Sequence, residues 1–492
     1  MTDRPQLHIA LSAAFVLGGL LFPEILDAKP AFEDCRIHDA DGLISVAAQC
    51  AKLAVPENPD EPQGAKIELA IAVVPAISTR ANPDPVFLLA GGPGQGAIEG
   101  YAPALGAYAG IRRQRDLVLV DQRGTGGSNR LDCDMPDDAI ETGELSPGQL
   151  RRIARDCLAG LHGRPQFYTT SIAVRDLEAV RAALGYERIN LIGGSYGTRV
   201  AQHYARRYPE RTRAIVLDAV VPPTIALVPQ IAIESQRALD RVFERCKADV
   251  ACNERFPELV GQFAWLDERL RLSPISIAIA DPVTGETRRI EVNRSHLITM
   301  ARMLTYSSRT ASLLPLVVHE AASNGNYAPL AAQAEMIGED LERMIAMGMH
   351  HSVVCAEDAP RFEGAVDRKQ LENTYLGPLM LDGMKAICDV WPRGPVDADF
   401  AEPLTSKVPA LLLSGEFDPA TPAEYGAAAA AGFASALHVV VPGQGHGQAR
   451  LNCLQKIMRR FIAEGSAADL DVACVKQIRP APFFLSFSGT AP

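Results

Sequence analysis

A serine, a histidine and an aspartate that lie far apart along this chain could together break an acyl bond. Ser195 sits in Gly193-Gly-Ser-Tyr-Gly197, after the β-type segment Arg188-Ile-Asn190 and before a helix-type segment that begins Thr198-Arg-Val-Ala201. A serine on such a strand-to-helix turn is a nucleophile elbow. The backbone runs close to itself there, so Gly193 and Gly197 leave no room for side chains. The turn lifts the hydroxyl above the sheet edge and aims a helix N-terminus at the reacting carbonyl. The pentapeptide alone fits equally a Gly-rich turn with no chemistry. A serine needs a base to take its proton and a third group to orient that base. Pro442-Gly-Gln-Gly-His-Gly447 supplies His446 on a loop made pliable by glycine, and Ser414-Gly-Glu-Phe-Asp-Pro-Ala-Thr-Pro422 supplies Asp418. The order Ser, acid, His follows the elbow, and the 28 residues between acid and base leave room for one helix and one strand.

Other residues compete for these roles less well. His203 falls more than two helical turns from Ser195, His438 lies within a strand-type run, and the adjacent His350 and His351 read as a solvated pair. Asp218 ends the strand after the elbow and could reach the site, but Ala219-Val-Val-Pro-Pro223 after it reads as a strand end capping the next turn. Glu416 is a weaker rival two residues from Asp418. A tetrahedral intermediate also needs two amide donors. Tyr196, just after the nucleophile, supplies one. Gly91-Gly-Pro-Gly94, after an earlier apolar run, supplies the other; Pro93 has no N–H, so Gly92 is preferred over Gly91. Neither a metal nor an organic cofactor is required by this set.

The elements that must hold these residues are also legible. Lys66 to Ala76 alternates and reads as a strand, and the Pro-, Asn-, Asp- and Gly-rich stretch 51–64 before it reads as a loop. Short apolar runs at Val86–Leu89 and Leu117–Val120 suit buried parallel strands. Residues 172–185 show helical spacing stopped by Gly185. Alternation of strand and helix predicts an α/β fold with a mostly parallel, doubly wound sheet. The alternation stops near Pro223, and residues 224–400 are mainly helical in type, with a hairpin from Ile275 to Val292. Strand signals return at Pro409–Leu413 and Ala436–Val441. The expected organisation is a core of residues 29–223 and 401–492 interrupted by a helical cap, residues 224–400.

The chain has 492 residues, 47% hydrophobic, with a net charge of −11 and no basic tract. Nucleic acid is a poor partner for it, since phosphate binding needs clustered cations. Arg4 and His8 precede an apolar run from Ile9 to Phe22 and then Leu26-Asp-Ala28, which reads as an export signal over residues 1–28. No later segment resembles a membrane span, so none is expected once the signal is removed. Ten cysteines follow the signal, in sequence-neighbour pairs 15, 24, 6, 33 and 21 residues apart, with no Cys-x-x-Cys. They read as five local disulfides of an exported protein, periplasmic or secreted, although spacing alone does not fix the connectivity.

Taken together, Gly91-Gly-Pro-Gly94, Asp121-Gln-Arg-Gly124, Gly193-Gly-Ser-Tyr-Gly197, Ser414–Pro422 and Gly445-His-Gly447 resemble the prolyl and tripeptidyl aminopeptidase family of serine peptidases. Cys453 and Cys474 match that group's cysteine pattern. The resemblance implies an α/β-hydrolase fold with an inserted helical cap, and cleavage of peptide substrates near the N-terminus. Ala90 departs from the His that prolyl members usually carry before Gly-Gly-Pro-Gly, which fits the exported tripeptidyl-type branch better. Arg123 is expected to be structural. An aminopeptidase must also recognise a free ammonium, which calls for carboxylates in the cap; Glu357, Asp358 and Glu234 are the candidates. An esterase on the same scaffold is the nearest alternative, and a catalytically dead binding protein is the alternative from another class.

Overall fold

The computed structural model describes residues 30–39, 41–133, 144–280 and 285–490. The export signal expected over residues 1–28 lies outside the described residues. Nine strands form one sheet: β1 (Glu33–His38), β2 (Ser45–Pro56), β3 (Lys66–Val74), β4 (Val86–Leu89), β5 (Leu117–Val120), β6 (Ile189–Gly194), β7 (Thr212–Asp218) and, after a long excursion, β10 (Ala410–Gly415) and β11 (Ala436–Val441). The excursion carries the two-stranded hairpin β8 (Ile275–Ala280) and β9 (Thr287–Val292). Spatial order in the sheet is β1-β2-β3-β5-β4-β6-β7-β10-β11. From β5 to β11 every neighbour pair is parallel, and β1, β2 and β3 extend one edge in antiparallel fashion.

The parallel strands are buried on both faces, as Val86-Phe-Leu-Leu89 and Leu117-Val-Leu-Val120 illustrate with every residue inside. The elbow helix Tyr196–Arg207 and the helix Thr170–Ala183 pack Val174, Leu177, Val200 and Tyr204 on one face. The helix Asn452–Glu464 covers the other with Leu454, Ile457 and Phe461. Parallel strands end at the same sheet edge, so the loops after β4, β6, β7, β10 and β11 gather there.

One expectation needs correction. Residues 51–56 are not loop but the second half of β2. Ala51, Leu53 and Val55 point inward while Lys52 and Ala54 face out, and this register pairs them with β3. The alternation was masked by the Pro-rich residues that follow it; the turn begins only at Glu57, whose amide bonds the Ala65 carbonyl.

Between β7 and β10 the chain builds a helical layer with its own apolar core, which includes Leu239, Phe263, Leu297, Met300 and Leu330. The cysteines pair as neighbours throughout: Cys35–Cys50, Cys133–Cys157, Cys246–Cys252, Cys355–Cys388 and Cys453–Cys474. Arg123 is structural as expected. Fully buried, it binds Asp176 through two bonds of 2.6 and 2.8 Å and donates to the carbonyls of Glu57 and Phe167.

Candidate active site

At the end of β6 the backbone is forced into a conformation that non-glycine residues rarely adopt. Ser195 has φ 54° and ψ −123°. A Cβ on Gly193 would collide with the Gly197 carbonyl, and one on Gly197 with the Leu89 carbonyl. The strain is held in place by short bonds: Ser195 N–H donates to the Asp218 carbonyl at 2.9 Å, and the Thr198 amide and hydroxyl both donate to the Ser195 carbonyl. Ser195 is thus fixed at the N-terminus of the elbow helix. The loop after β4 lies against it, because the position a Gly91 Cβ would occupy is 3.2 Å from Ser195 Cβ. Among the described residues, the amides of Gly92 and Tyr196 donate to no protein acceptor. A helix N-terminus leaves such a donor free at Tyr196, which opens the elbow helix, while Gly92 lies in the loop after β4.

Asp418 follows β10 and is enclosed. Its carboxylate accepts the amides of Ala420 and Thr421 at 2.9 and 2.8 Å and the Thr421 hydroxyl at 2.8 Å. The remaining acceptor capacity faces His446, whose Nδ1 lies 2.8 Å from one carboxylate oxygen and 3.0 Å from the other. Nδ1 therefore carries a proton, and Nε2 is left as the basic nitrogen. Burial opposes the imidazolium, but attraction from Asp418 and from Asp218 prevails over burial and the nearby Arg302 cation, so the His446 pKa is raised above 6.5. Ser195 Oγ makes no hydrogen bond to His446 here, whereas the acid–base bond is formed. Nucleophile–base contacts are often loose before substrate arrives.

Asp218 joins the loop of the serine to the loop of the histidine. Its carbonyl holds the Ser195 amide, and its carboxylate accepts the amides of Gln448 and Ala449, each at 2.8 Å. It is not the acid that orients the imidazole, but it fixes the loop that carries it. Burial pushes its pKa up to about 6, against those amide bonds and the His446 charge that lower it. Glu416, the other rival acid, accepts the Gly443 amide at 2.8 Å.

The helical layer reaches all three loops. The Tyr306 carbonyl accepts the His446 amide at 2.7 Å, and its ring stands edge-on to the imidazole at 5.1 Å. The Ala346 amide donates to the Gly94 carbonyl at 2.9 Å, and His350 Nδ1 lies 3.2 Å from the Pro93 carbonyl. Ser235 Oγ approaches the Pro419 carbonyl at 3.4 Å. Tyr306 and the Ile345–Met349 segment were not found from sequence, because backbone carbonyl and amide contacts carry no residue-type signal.

This geometry agrees with a family model described as α/β hydrolase fold, which matches residues 84–448. The chain belongs to the α/β-hydrolase family. It is a serine hydrolase. Serine protease Hip1 of Mycobacterium tuberculosis is 27% identical over 429 residues, covering 80% of each chain. A tripeptidyl aminopeptidase of Streptomyces lividans is 29% identical over 209 residues, 39% of this chain and 38% of that one. Carboxylesterase B of Mycobacterium tuberculosis is 26% identical over 291 residues, 53% of this chain and 55% of that one.

Three expectations about the hydrolase change at this point. Glu357 and Asp358 do not present free carboxylates: both side chains have 0% exposure. Asp358 binds Arg199 at 3.0 Å and Arg361 at 3.0 Å, and Glu357 accepts the Thr170 amide at 2.6 Å and its hydroxyl at 3.0 Å. Thr170 Oγ1 in turn bonds the Tyr196 hydroxyl, so this pair braces the elbow helix instead of meeting a substrate ammonium. Burial raises the Glu357 pKa to about 7 despite Arg199 and the Thr170 bonds. His350 and His351 are not a solvated pair: His351 is buried and His350 only partly exposed. His351 packs on Trp391 at 4.9 Å, and burial followed by the His350 charge lowers its pKa to about 3. His203 is a packed helix residue as read, with Phe400 at 5.0 Å and Asp397 at 2.9 Å. Glu234 alone of the three cap carboxylates lies beside the acid loop: it neighbours Ser235, which bonds Pro419, and the Asp418 charge adds to the burial that raises its pKa. Its ion partner is Arg237 at 2.9 Å, a residue half exposed.

Proposed function

We propose that this hydrolase is an exported serine peptidase that cuts peptides near a free N-terminus, with Ser195, His446 and Asp418 as its triad. The observation that carries the proposal is the His446–Asp418 pair, which assigns the proton to Nδ1 and leaves Nε2 to serve Ser195. Ser195 Oγ attacks the scissile carbonyl while His446 Nε2 takes its proton. The amides of Gly92 and Tyr196 stabilise the tetrahedral oxyanion. His446 then donates its proton to the leaving amine, and the acyl group remains on Ser195. Water, activated by the same imidazole, releases the acid and restores the serine. Asp418 holds the tautomer and stabilises the imidazolium without taking the proton.

Relatives described as a serine protease and a tripeptidyl aminopeptidase support the peptidase reading. For the free ammonium of the substrate, Glu234 is the carboxylate beside the acid loop whose ion partner is exposed enough to be displaced. Five disulfides support passage through an oxidising compartment, periplasmic or secreted. No step calls on a metal or an organic cofactor.

The relative described as carboxylesterase B favours a second reading, an esterase on the same scaffold. Three substrates separate the two: a free-amine peptide amide, its N-blocked form and a simple ester. The aminopeptidase cleaves the first far faster than the second; equal rates on both would remove N-terminal recognition, and an ester-only activity would establish the alternative. Ser195→Ala is expected to lower kcat by roughly 10⁴-fold or more in either case, measured on whichever substrate is turned over.

A further inference from the structure

Arg302 closes the helix Arg294–Leu304, next to the turn that carries Tyr306. Its Nη2 donates to the Tyr306 hydroxyl at 2.9 Å, and Nη1 meets only the Met303 sulfur, at 3.5 Å. The guanidinium lies 5.4 Å from the Tyr306 ring centroid. Nε is buried and has no acceptor. Arg123, Arg199 and Arg294 each bind a carboxylate within 3.0 Å, whereas Arg245, on the helix Leu227–Ala248, resembles Arg302 in having buried nitrogens without an acceptor; Arg302 differs from it in being joined to Tyr306. Among the described residues no carboxylate pairs with Arg302. A partly buried guanidinium without an anion is an incomplete arrangement, since buried charges are ordinarily paired.

The place of Arg302 relative to the serine and histidine loops bears on what it could bind. Tyr306 connects Arg302 to the base: the hydroxyl takes the guanidinium, the carbonyl takes the His446 amide, and the ring packs on the imidazole. The Arg302 charge disfavours the cationic forms of both His446, on the acid–base side, and His350, on the oxyanion-loop side. Through Tyr306 the cation therefore lies one side chain away from the base. We infer that Arg302 is a specificity-determining residue that binds a carboxylate of the substrate, either an Asp or Glu side chain near the cut or the free C-terminus of a short peptide. Arginine suits this task because its planar fork matches a carboxylate with two charge-assisted bonds. The inference rests on the peptidase reading above for the kind of substrate, but not for the charge preference.

The test uses the full-length mature protein and matched free-amine peptides that differ only as Glu against Gln at each residue flanking the cut, each made as C-terminal acid and amide. The wild type is expected to favour one acidic member over its neutral twin by about 10- to 100-fold in kcat/KM, mostly through KM. The Glu/Gln pair and the acid/amide pair show which carboxylate is bound. In Arg302→Met the ratio collapses to near one, in Arg302→Glu it inverts, and Arg302→Lys keeps part of it. Arg302→Met also moves the acid limb of kcat/KM to higher pH, because His446, still facing Asp418, Asp218 and the Tyr306 ring, loses the cation that opposed its protonation. A wild-type ratio near one in every pair, or a preference that survives in Arg302→Met, overturns the inference. If no peptide is cut, the same comparison is made with the p-nitrophenyl half-ester of succinate against p-nitrophenyl butyrate. A charge preference lost in Arg302→Met then supports Arg302 although the peptidase reading has failed, and its absence removes both.

Discussion

Two pairs of buried carboxylates flank the elbow helix, and they do different work. On one side Asp418 and Asp218 face His446; on the other Glu357 and Asp358 face Arg199. All four are enclosed, and burial raises the pKa of Asp218 and of Glu357. The difference lies in the partner. Arg199 stays charged at any working pH, and its bond to Asp358 is an ion pair that ties the helix to the layer above it. In the proposed mechanism His446 gains and loses a proton, so the carboxylates beside it would tune a group that titrates during turnover. An acidic pair near an active serine is therefore diagnosed by what it touches, not by its proximity to the serine.

Asp418→Asn strikes the titrating side hardest. The amide cannot accept the Nδ1 proton and favours the wrong tautomer, so kcat is expected to fall about 10⁴-fold with folding intact; steady-state kinetics beside a thermal melt measures it. A change under tenfold would place the orienting acid elsewhere. Asp358→Asn strikes the fixed side. It leaves Arg199 and Arg361 without their shared anion, and breaking a buried pair costs about 3–5 kcal/mol. The melting temperature should drop, while protein that remains folded still reacts with a fluorophosphonate at Ser195. Loss of that labelling at full stability would mean that the Arg199 cluster takes part in chemistry.

Asp218→Asn gives the smallest effect and the finest distinction. Asn can accept only some of the Gln448 and Ala449 amide bonds, so kcat/KM is expected to fall about tenfold. Its second signature is electrostatic. Asp218 favours the protonated imidazole, so removing its charge lowers the His446 pKa, and the acid limb of kcat/KM moves to lower pH. Asp218→Asn and Arg302→Met should therefore shift that limb in opposite directions. A fall in rate with an unmoved limb would reduce Asp218 to a brace, like Asp358.

The elbow, the acid loop and the base loop were legible because each is a local requirement written in residue types: glycines where the backbone touches itself, a serine at the turn, a histidine between glycines. The strands Val86–Leu89, Leu117–Val120 and Ala436–Val441 were legible for a similar reason, since short apolar runs match the buried sheet. Residues 51–56 were misread because their period of two is short and adjoins a Pro-rich turn. Asp218 was noticed for its position but not for its role, which depends on amides more than two hundred residues downstream. Glu357 and Asp358 were placed in the right segment and given the wrong partner, since nothing in Val353-Val-Cys-Ala-Glu-Asp358 announces Arg199.

By itself, the sequence determined that this chain folds as an α/β hydrolase and is a serine hydrolase, and it marked the serine and histidine loops proposed for the chemistry, because those features are encoded in short stretches whose backbone geometry admits few residue types. Only the tertiary structure decided how closely Asp418 approaches His446, that Asp218 holds the loop of His446, and that Arg302 stands against Tyr306. Those assignments depend on distances between segments brought together by the sheet and the layer above it, and a charge has no partner until the chain has folded.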